Sequence, residues 1–200
     1  MEPVPRWALL SSGCAPVVLV AGWAIAGALQ QRGYDPARQT ISALAAHGAD
    51  DRWLMTGAMI AVGVCYAATA VALRSVALAG RIALACGGAA TILVALSPEP
   101  THGTTTRHTV AAVLGVVAIA AWPRLAADGD PAGPVVLRPR LSSLASALMV
   151  LCALWFLLAL RGNGAAGAAE RVVTAVESLW PFVVVTVCLR FGTEPTTDGR

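Results

Sequence analysis

The sequence contains no lysine and few charged residues of any kind. All 14 of its basic residues are arginine, the acidic residues number 11, and charged residues make up 12% of the 200 positions. Soluble domains carry about 25% charged residues, so this composition argues against a water-soluble fold. The net charge is only +3 and no basic block occurs. Nucleic acid is therefore not an expected partner.

The cysteines also lack a spacing that would indicate a disulfide framework or a metal site. There are five of them, an odd number, without any Cys-x-x-Cys spacing, and each lies inside an apolar stretch. Disulfide frameworks and thiolate metal sites depend on paired spacings, so we interpret these cysteines as small packing residues. No internal repeat with a period of 20–50 residues is present either, which argues against a solenoid.

The sequence does contain six long apolar stretches, and 57% of its residues are hydrophobic. A bilayer core about 30 Å thick requires about 20 helical residues to cross it. The predicted spans are residues 7–29, 53–73, 82–97, 109–122, 141–160 and 172–189. We therefore predict an all-α polytopic membrane protein, a single six-helix bundle over residues 1–200, with membrane lipids as its expected partners.

Six crossings place both ends of the bundle's chain on one side of the membrane. That side carries eight arginines and the opposite side six. The positive-inside rule then predicts a multi-pass protein of the cell membrane with cytoplasmic termini. The loop between spans four and five, residues 126–134, is rich in Pro and Gly. It is typical of a flexible linker, here between a four-helix part and a two-helix part.

Polar side chains gather in the connections that share the other end of the bundle. The first segment follows span one and runs over residues 34–51, where residues 41–46 are expected to form a short interfacial helix. Gly48 would end this helix, and Asp51 would cap the second span. The second segment covers residues 97–108, and the third opens the sixth span from residue 167.

These three segments carry a family resemblance. They contain an Ile-Ser-x-Leu sequence after the first span, a Pro-acidic stretch that leads to a His at the fourth, and a Gly-x-x-x-Arg before a Trp in the last. In this pattern the chain resembles the bacterial and archaeal membrane proteins catalogued as domain-of-unknown-function family 998. The positions that match the family's motifs are Ser42, Glu99, His108, Arg171 and Trp180. The resemblance implies a six-span fold and no particular reaction.

Glu177 is the most informative single residue. It lies about 9 Å along the helix beyond Arg171, and a carboxylate at such depth costs about 2.5–3.5 kcal/mol on insertion scales. Glu170, Thr174 and Glu177 follow an i, i+4, i+7 spacing that places them on one helical stripe. Pro181 removes the hydrogen bond to the Glu177 carbonyl and is expected to kink the helix.

Two interpretations of Glu177 stay open. It is either a structural carboxylate, protonated or paired with Arg52, Arg107 or Arg171, or it is a proton donor or substrate anchor.

The three histidines admit several roles. His47, His102 and His108 together with Glu99 would supply enough ligands for zinc. The i, i+6 spacing of His102 and His108 is not a metal signature, so we predict no metal and no cofactor. Ser42 and His108 would also suit a nucleophile and its base, although no nucleophile-elbow pattern accompanies them. The simplest alternative is that His108 hydrogen-bonds across the bundle, to Ser42 for instance.

Two classes of function follow. The first is a membrane-embedded enzyme that acts on a lipid or isoprenoid, an apolar small-molecule substrate, by acid–base chemistry of a carboxylate, through cyclisation or hydrolysis. Its pocket would open between spans two, four and six. The candidate catalytic residues are Glu177, Glu170, His108 and Ser42. The candidate substrate-binding residues are Arg171, Arg107, Trp180, His47, Glu99 and His102.

The second class is a non-catalytic membrane scaffold, accessory subunit or lipid-binding protein, whose polar outer loops would engage a protein partner that the sequence does not identify. In it the same polar residues would only satisfy one another. A small transporter is the weakest alternative, because the sequence lacks an inverted repeat and a matched pair of broken helices.

Overall fold

The computed structural model describes residues 4–31, 33–101, 103–162 and 164–193. Over these residues the chain is helical and contains no strand. The six long helices are α1 (Trp7–Ala28), α2 (Arg52–Ala72), α3 (Leu78–Ala95), α4 (Thr106–Leu125), α5 (Pro139–Arg161) and α6 (Ala166–Thr193). Two short 3-10 helices, Ser42–Ala45 and Val135–Leu137, lie in the connections.

All six α-helices are long and apolar enough to cross a membrane, which confirms the predicted all-α, six-span fold. The largest boundary difference is at α6, which begins at Ala166 rather than near residue 172. The sequence-based boundary of this span lies where the apolar pattern ends, at Glu170 and Arg171. In the structure both residues lie inside α6, and Glu170 is buried. At α4 the Thr105 side chain accepts a hydrogen bond from the His108 amide and so caps the helix start.

The helices form a closed ring. Each one packs against its neighbours in the sequence, and α6 packs against α1. Small residues permit the close crossings, as expected where lipid provides no hydrophobic drive for helix association. At the crossing of α2 and α3, a Cβ on Gly63 would lie 2.5 Å from the carbonyl oxygen of Gly88. Small residues on both helices therefore permit the close approach at this contact.

The connection between α4 and α5 differs from its prediction as a flexible divider. Its 3-10 helix buries Val136 and Leu137, and the Asp128 amide donates to the Leu137 carbonyl over 2.7 Å. Ser142 then donates to the Val136 carbonyl over 3.1 Å. The two helices after this connection are not separate from the first four, because α5 packs against α4 and α6 packs against α1.

We call the end of the ring that carries the connections α1–α2, α3–α4 and α5–α6 the distal end, and the opposite end the proximal end. The predicted interfacial helix is present at the distal end as the 3-10 helix Ser42–Ala45, and Gly48 follows it with a φ of 96°. The predicted capping by Asp51 is wrong. Asp51 precedes α2 with a left-handed φ of 47°, and its side chain makes no capping hydrogen bond.

Candidate functional site

The ring encloses a cavity of about 110 Å³ that reaches from the distal end into the bundle. Every one of the six helices contributes to its wall, as do Ile41 and Ser42 from the distal connection. Most of the wall is apolar. The larger apolar side chains on it include Leu19, Met59, Val62, Val94, Ile119 and Phe156.

The polar part of the wall comes mainly from one face of α6. Glu170, Thr174 and Glu177 all line the cavity, as their helical spacing predicts. Tyr66 of α2 and Thr91 of α3 add hydroxyl groups. The cavity therefore combines an apolar chamber with two carboxyl groups about 10 Å apart along the α6 axis.

Glu170 has hydrogen-bond partners on the distal connection. One carboxyl oxygen accepts from the Ile41 amide, and the other accepts from the Ser42 hydroxyl over 3.5 Å. The backbone carbonyl of Glu170 accepts from Thr174 over 2.8 Å. Through its two carboxyl oxygens, Glu170 therefore holds the start of the 3-10 helix Ser42–Ala45 beside the cavity.

Glu177 is different. It is only 5% exposed, and its Oε1 atom has no hydrogen-bond partner among the described residues. None of the ion pairs found in the described part of the chain involves it, so the pairing with Arg52, Arg107 or Arg171 is not present there. The helix continues through Pro181, which has no N–H to give to the Glu177 carbonyl. Glu177 thus lines the largely apolar chamber, and its Oε1 atom is buried without a hydrogen-bond partner among the described residues.

Arg171 is engaged with the backbone of the distal connection. It donates to the carbonyl oxygens of Pro36 over 2.8 Å and Gln39 over 2.9 Å, and to that of Gly167 over 2.9 Å. Because these N–H groups donate to backbone carbonyls, the Arg171 guanidinium positions the loop that contains Pro36 and Gln39. It does not line the cavity wall, although the sequence suggested that it binds substrate.

Tyr34 completes this contact. Its hydroxyl accepts a hydrogen bond from Arg171, and the Arg171 guanidinium lies 5.9 Å from the centre of the Trp23 ring. Burial raises the pKa of Tyr34 above its ordinary value, although the neighbouring Arg171 charge acts to lower that pKa. Burial therefore favours the neutral phenol. Tyr34 links the loop to α6 through Arg171, and its ring lies against Gly27 of α1.

A second polar cluster lies beside the cavity at the distal end. The Nε2 atom of His108 is 3.7 Å from the Glu99 carboxylate, and its Nδ1 atom is 2.8 Å from the Ser97 carbonyl oxygen. The His47 amide donates to the Glu99 carbonyl over 2.8 Å. The structure thus brings His108 to Glu99 and Ser42 to Glu170, so the hydrogen bonds of the suggested Ser42–His108 pair go elsewhere.

The remaining candidate residues that the structure describes do not line the cavity. Arg107 is exposed near the start of α4, and Trp180 is half-buried with no partner for its indole nitrogen among the described residues. His102 lies outside the described residues. Over the part of the chain that the structure describes, no group of three or more His, Cys, Asp or Glu side chains is placed to hold a metal ion.

Sequence reasoning missed Tyr66 and Phe156 on the cavity wall. A signal existed for Tyr66, because Met59, Val62 and Tyr66 share one helical stripe and only the tyrosine brings a polar atom to it. Phe156 stands among leucines in the second part of α5, residues 147–160, where the sequence is apolar on every side of the helix. Hydrophobic periodicity therefore cannot predict that Phe156 faces the cavity.

The fold and the site define a polytopic membrane protein whose helix ring surrounds an apolar cavity with buried carboxyl groups. The chain belongs to the family described as "protein of unknown function (DUF998)", whose model matches residues 14–187. This match confirms the resemblance seen in the sequence motifs. No curated protein and no solved structure matches the chain.

Proposed function

We propose that this protein is a membrane-embedded enzyme that acts on the apolar chain of a lipid or isoprenoid, with Glu177 as the proton donor. The observation that supports this proposal is the contrast between the two carboxyl groups of α6. Glu170 is held by backbone and hydroxyl donors, whereas the Oε1 atom of Glu177 lacks a partner among the described residues.

The surroundings of Glu177 suit acid catalysis. An ionised carboxylate in an apolar chamber is costly unless a cation or several donors compensate its charge. In the protonated form Glu177 offers an O–H group to whatever occupies the cavity. A general acid must lie within hydrogen-bond reach of the atom it protonates, and a side chain on the cavity wall meets that condition.

An apolar wall favours isomerisation of a carbon chain over hydrolysis, because hydrolysis requires a water molecule at the reacting bond. In the proposed reaction, the Glu177 proton adds to one carbon of a double bond and leaves a carbocation on the other. A second double bond of the same chain attacks that cation and closes a ring. Loss of a neighbouring proton to the Glu177 carboxylate regenerates the acid, so substrate and product have the same atoms.

The test begins with the lipids that co-purify with the protein, identified by mass spectrometry. The purified protein is then incubated with the isolated isoprenoid or lipid fraction in phosphatidylcholine vesicles prepared in D2O. We expect a product one mass unit heavier than the substrate, because the Glu177 proton exchanges with solvent between turnovers. Glu177→Gln should abolish this product, since an amide is not an acid.

Glu170→Gln is the matched control. Glutamine keeps a carbonyl oxygen that can accept from the Ile41 amide, so this variant should keep most of the turnover. Turnover that persists in Glu177→Gln would contradict the assignment of the acid. Loss of turnover in both variants, with both still monodisperse in detergent, would contradict the distinction between the two carboxyl groups.

A lipid-binding protein without catalysis is the second candidate. It is favoured by the engagement of Arg171 and Glu170, whose polar atoms are hydrogen-bonded to the distal connection. In that case the same experiment would return a bound lipid that is chemically unchanged in D2O, for the wild-type protein and for both variants.

A further inference from the structure

Helix α5 packs less tightly in its distal half than in its proximal half. Its buried residues Ser142, Ala145 and Met149 all belong to the first half of the helix. The stripe they define continues through Cys152 to Phe156, and these two residues are only half-buried. The inward face of α5 therefore loses contact with the ring toward the distal end, at the level of the cavity.

At that level Phe156 is the α5 residue that lines the cavity among the residues described. Its neighbours in the sequence face away from the bundle: Trp155 is 44% exposed, Leu157 49% and Leu158 66%. In a membrane such exposed apolar side chains contact lipid. Phe156 is thus the described α5 side chain that faces the chamber, and the side chains next to it in the sequence face the hydrocarbon.

Loop contacts close part of the distal end. Residues 36–42 of the α1–α2 connection are tied to α6 by Arg171 and Glu170. The first turn of α6 is so close to this connection that a Cβ on Gly167 would lie 2.1 Å from the Gln39 carbonyl oxygen. A ligand that came from the water between this loop and α6 would first have to break these contacts.

We propose that the ligand of the cavity enters sideways from the bilayer, past Phe156, and that this ring sets the width of the entrance. Between Ser146 and Arg161, α5 offers no charged side chain. A polar headgroup would therefore find no charged partner on the α5 side of this path, so the ligand enters by the apolar end of its chain. This proposal names the route and substrate class for the proposed function and rests on it for the chemistry that follows entry.

Photolabelling in vesicles tests the route without requiring catalysis. The probe is a phosphatidylcholine that carries an alkyl diazirine at the end of one acyl chain, and the labelled residues are mapped by mass spectrometry. In the wild-type protein we expect labels inside the cavity, on Tyr66 and Glu177. Phe156→Trp should lower this labelling several-fold, and Phe156→Ala should raise it.

Trp155→Phe is the matched control, because it changes ring size on the adjacent residue that faces lipid. It should leave labelling of the cavity unchanged. Equal labelling in the two Phe156 variants, or no label in the cavity of any of these proteins, would overturn the proposed route. Size-exclusion profiles and unfolding temperatures in detergent identify any variant that fails to fold, and Phe156→Leu, a milder reduction in size, then replaces it.

The two proposals fail in different ways. If labelling depends on residue 156 but no deuterium enters any product, the route stands and the proposed catalysis is wrong. If deuterium enters the product but labelling of the cavity is the same whatever residue is at position 156, the proposed catalysis stands and the proposed route is wrong.

Discussion

At the scale of single residues, the structure separates functions that the sequence left together. Glu170 and Glu177 are both buried acids of α6, yet only Glu177 keeps an unpartnered carboxyl oxygen in the described part of the chain. Arg171 looks like an anion-binding residue in the sequence, but it donates to the backbone carbonyls of residues 36 and 39. Partner atoms, and not residue type, therefore distinguish the proposed acid from the residues that hold the loop.

Tyr34 gives a pH-dependent test of this loop contact. Burial raises its pKa, so its phenol should ionise above the ordinary value of about 10. Because the folded state favours the neutral form, the stability that Tyr34 contributes is present below the pKa of the unfolded chain. It is lost as the pH rises through the pKa of the folded protein.

The measurement uses the ultraviolet absorbance of tyrosinate in a Tyr66→Phe variant, where Tyr34 is the one tyrosine left. A midpoint at or below that of free tyrosine would contradict burial of the phenol against Arg171.

At the scale of elements, the start of α6 and the α1–α2 connection form one contact. The amides of Gly167 and Ala168 donate to the carbonyls of Arg38 over 3.2 Å and of Ala37 over 2.9 Å. The first amides of a helix have no partner within it, so the loop supplies the acceptors that α6 requires. The loop is in turn fixed by the same helix.

Gly167→Ala should disrupt this contact. The added Cβ would lie 2.1 Å from the Gln39 oxygen and 2.5 Å from the Pro36 oxygen, both of them backbone atoms that cannot move aside alone. We expect a loss of about 1–3 kcal/mol in the free energy of unfolding, as for other overpacked positions. Chemical unfolding in detergent micelles, followed by circular dichroism, measures the change.

Gly57→Ala is the control for helix propensity. Gly57 lies within α2, and nothing lies within 4 Å of a Cβ placed there. Alanine at such a site should leave stability unchanged or raise it by up to about 1 kcal/mol. A Gly167→Ala protein as stable as the Gly57→Ala protein would mean that the loop does not rest on α6.

At the scale of the whole molecule, a closed ring of six helices predicts which segments share a side of the membrane. The distal connections lie together, opposite the connections α2–α3 and α4–α5. The arginine distribution, eight against six, supports the proposal that the proximal end faces the cytoplasm. With this orientation, the distal end would lie on the non-cytoplasmic side of the membrane.

Cysteine labelling tests that orientation. In a variant without its native cysteines, Thr104→Cys at the distal end and Asp130→Cys at the proximal end are both exposed positions. A maleimide that cannot cross membranes should label residue 104 in intact cells, and residue 130 only after permeabilisation. The reverse pattern would overturn the orientation. Labelling of both residues in intact cells would contradict their placement at opposite ends.

The sequence was sufficient for the parts of the fold that depend on composition and helical period. Apolar length predicted six helices, and spacing predicted that Glu170, Thr174 and Glu177 share a face. It was not sufficient where one helix meets a distant loop. The contacts of Arg171 with residues 36 and 39 join positions more than 130 apart in the chain, and no local pattern records which backbone oxygens an arginine will reach.

The order in which the ring is built has a consequence for synthesis. Neighbours in the sequence are neighbours in the ring, so five helices can associate as they leave the ribosome, before the last one exists. That last helix brings both buried carboxyl groups and the ties to residues 36–42. A nascent chain that stops before residue 166 would lack α6, and the faces of α1 and α5 that contact α6 would stay exposed in the membrane. Membrane quality-control proteases could recognise these exposed faces.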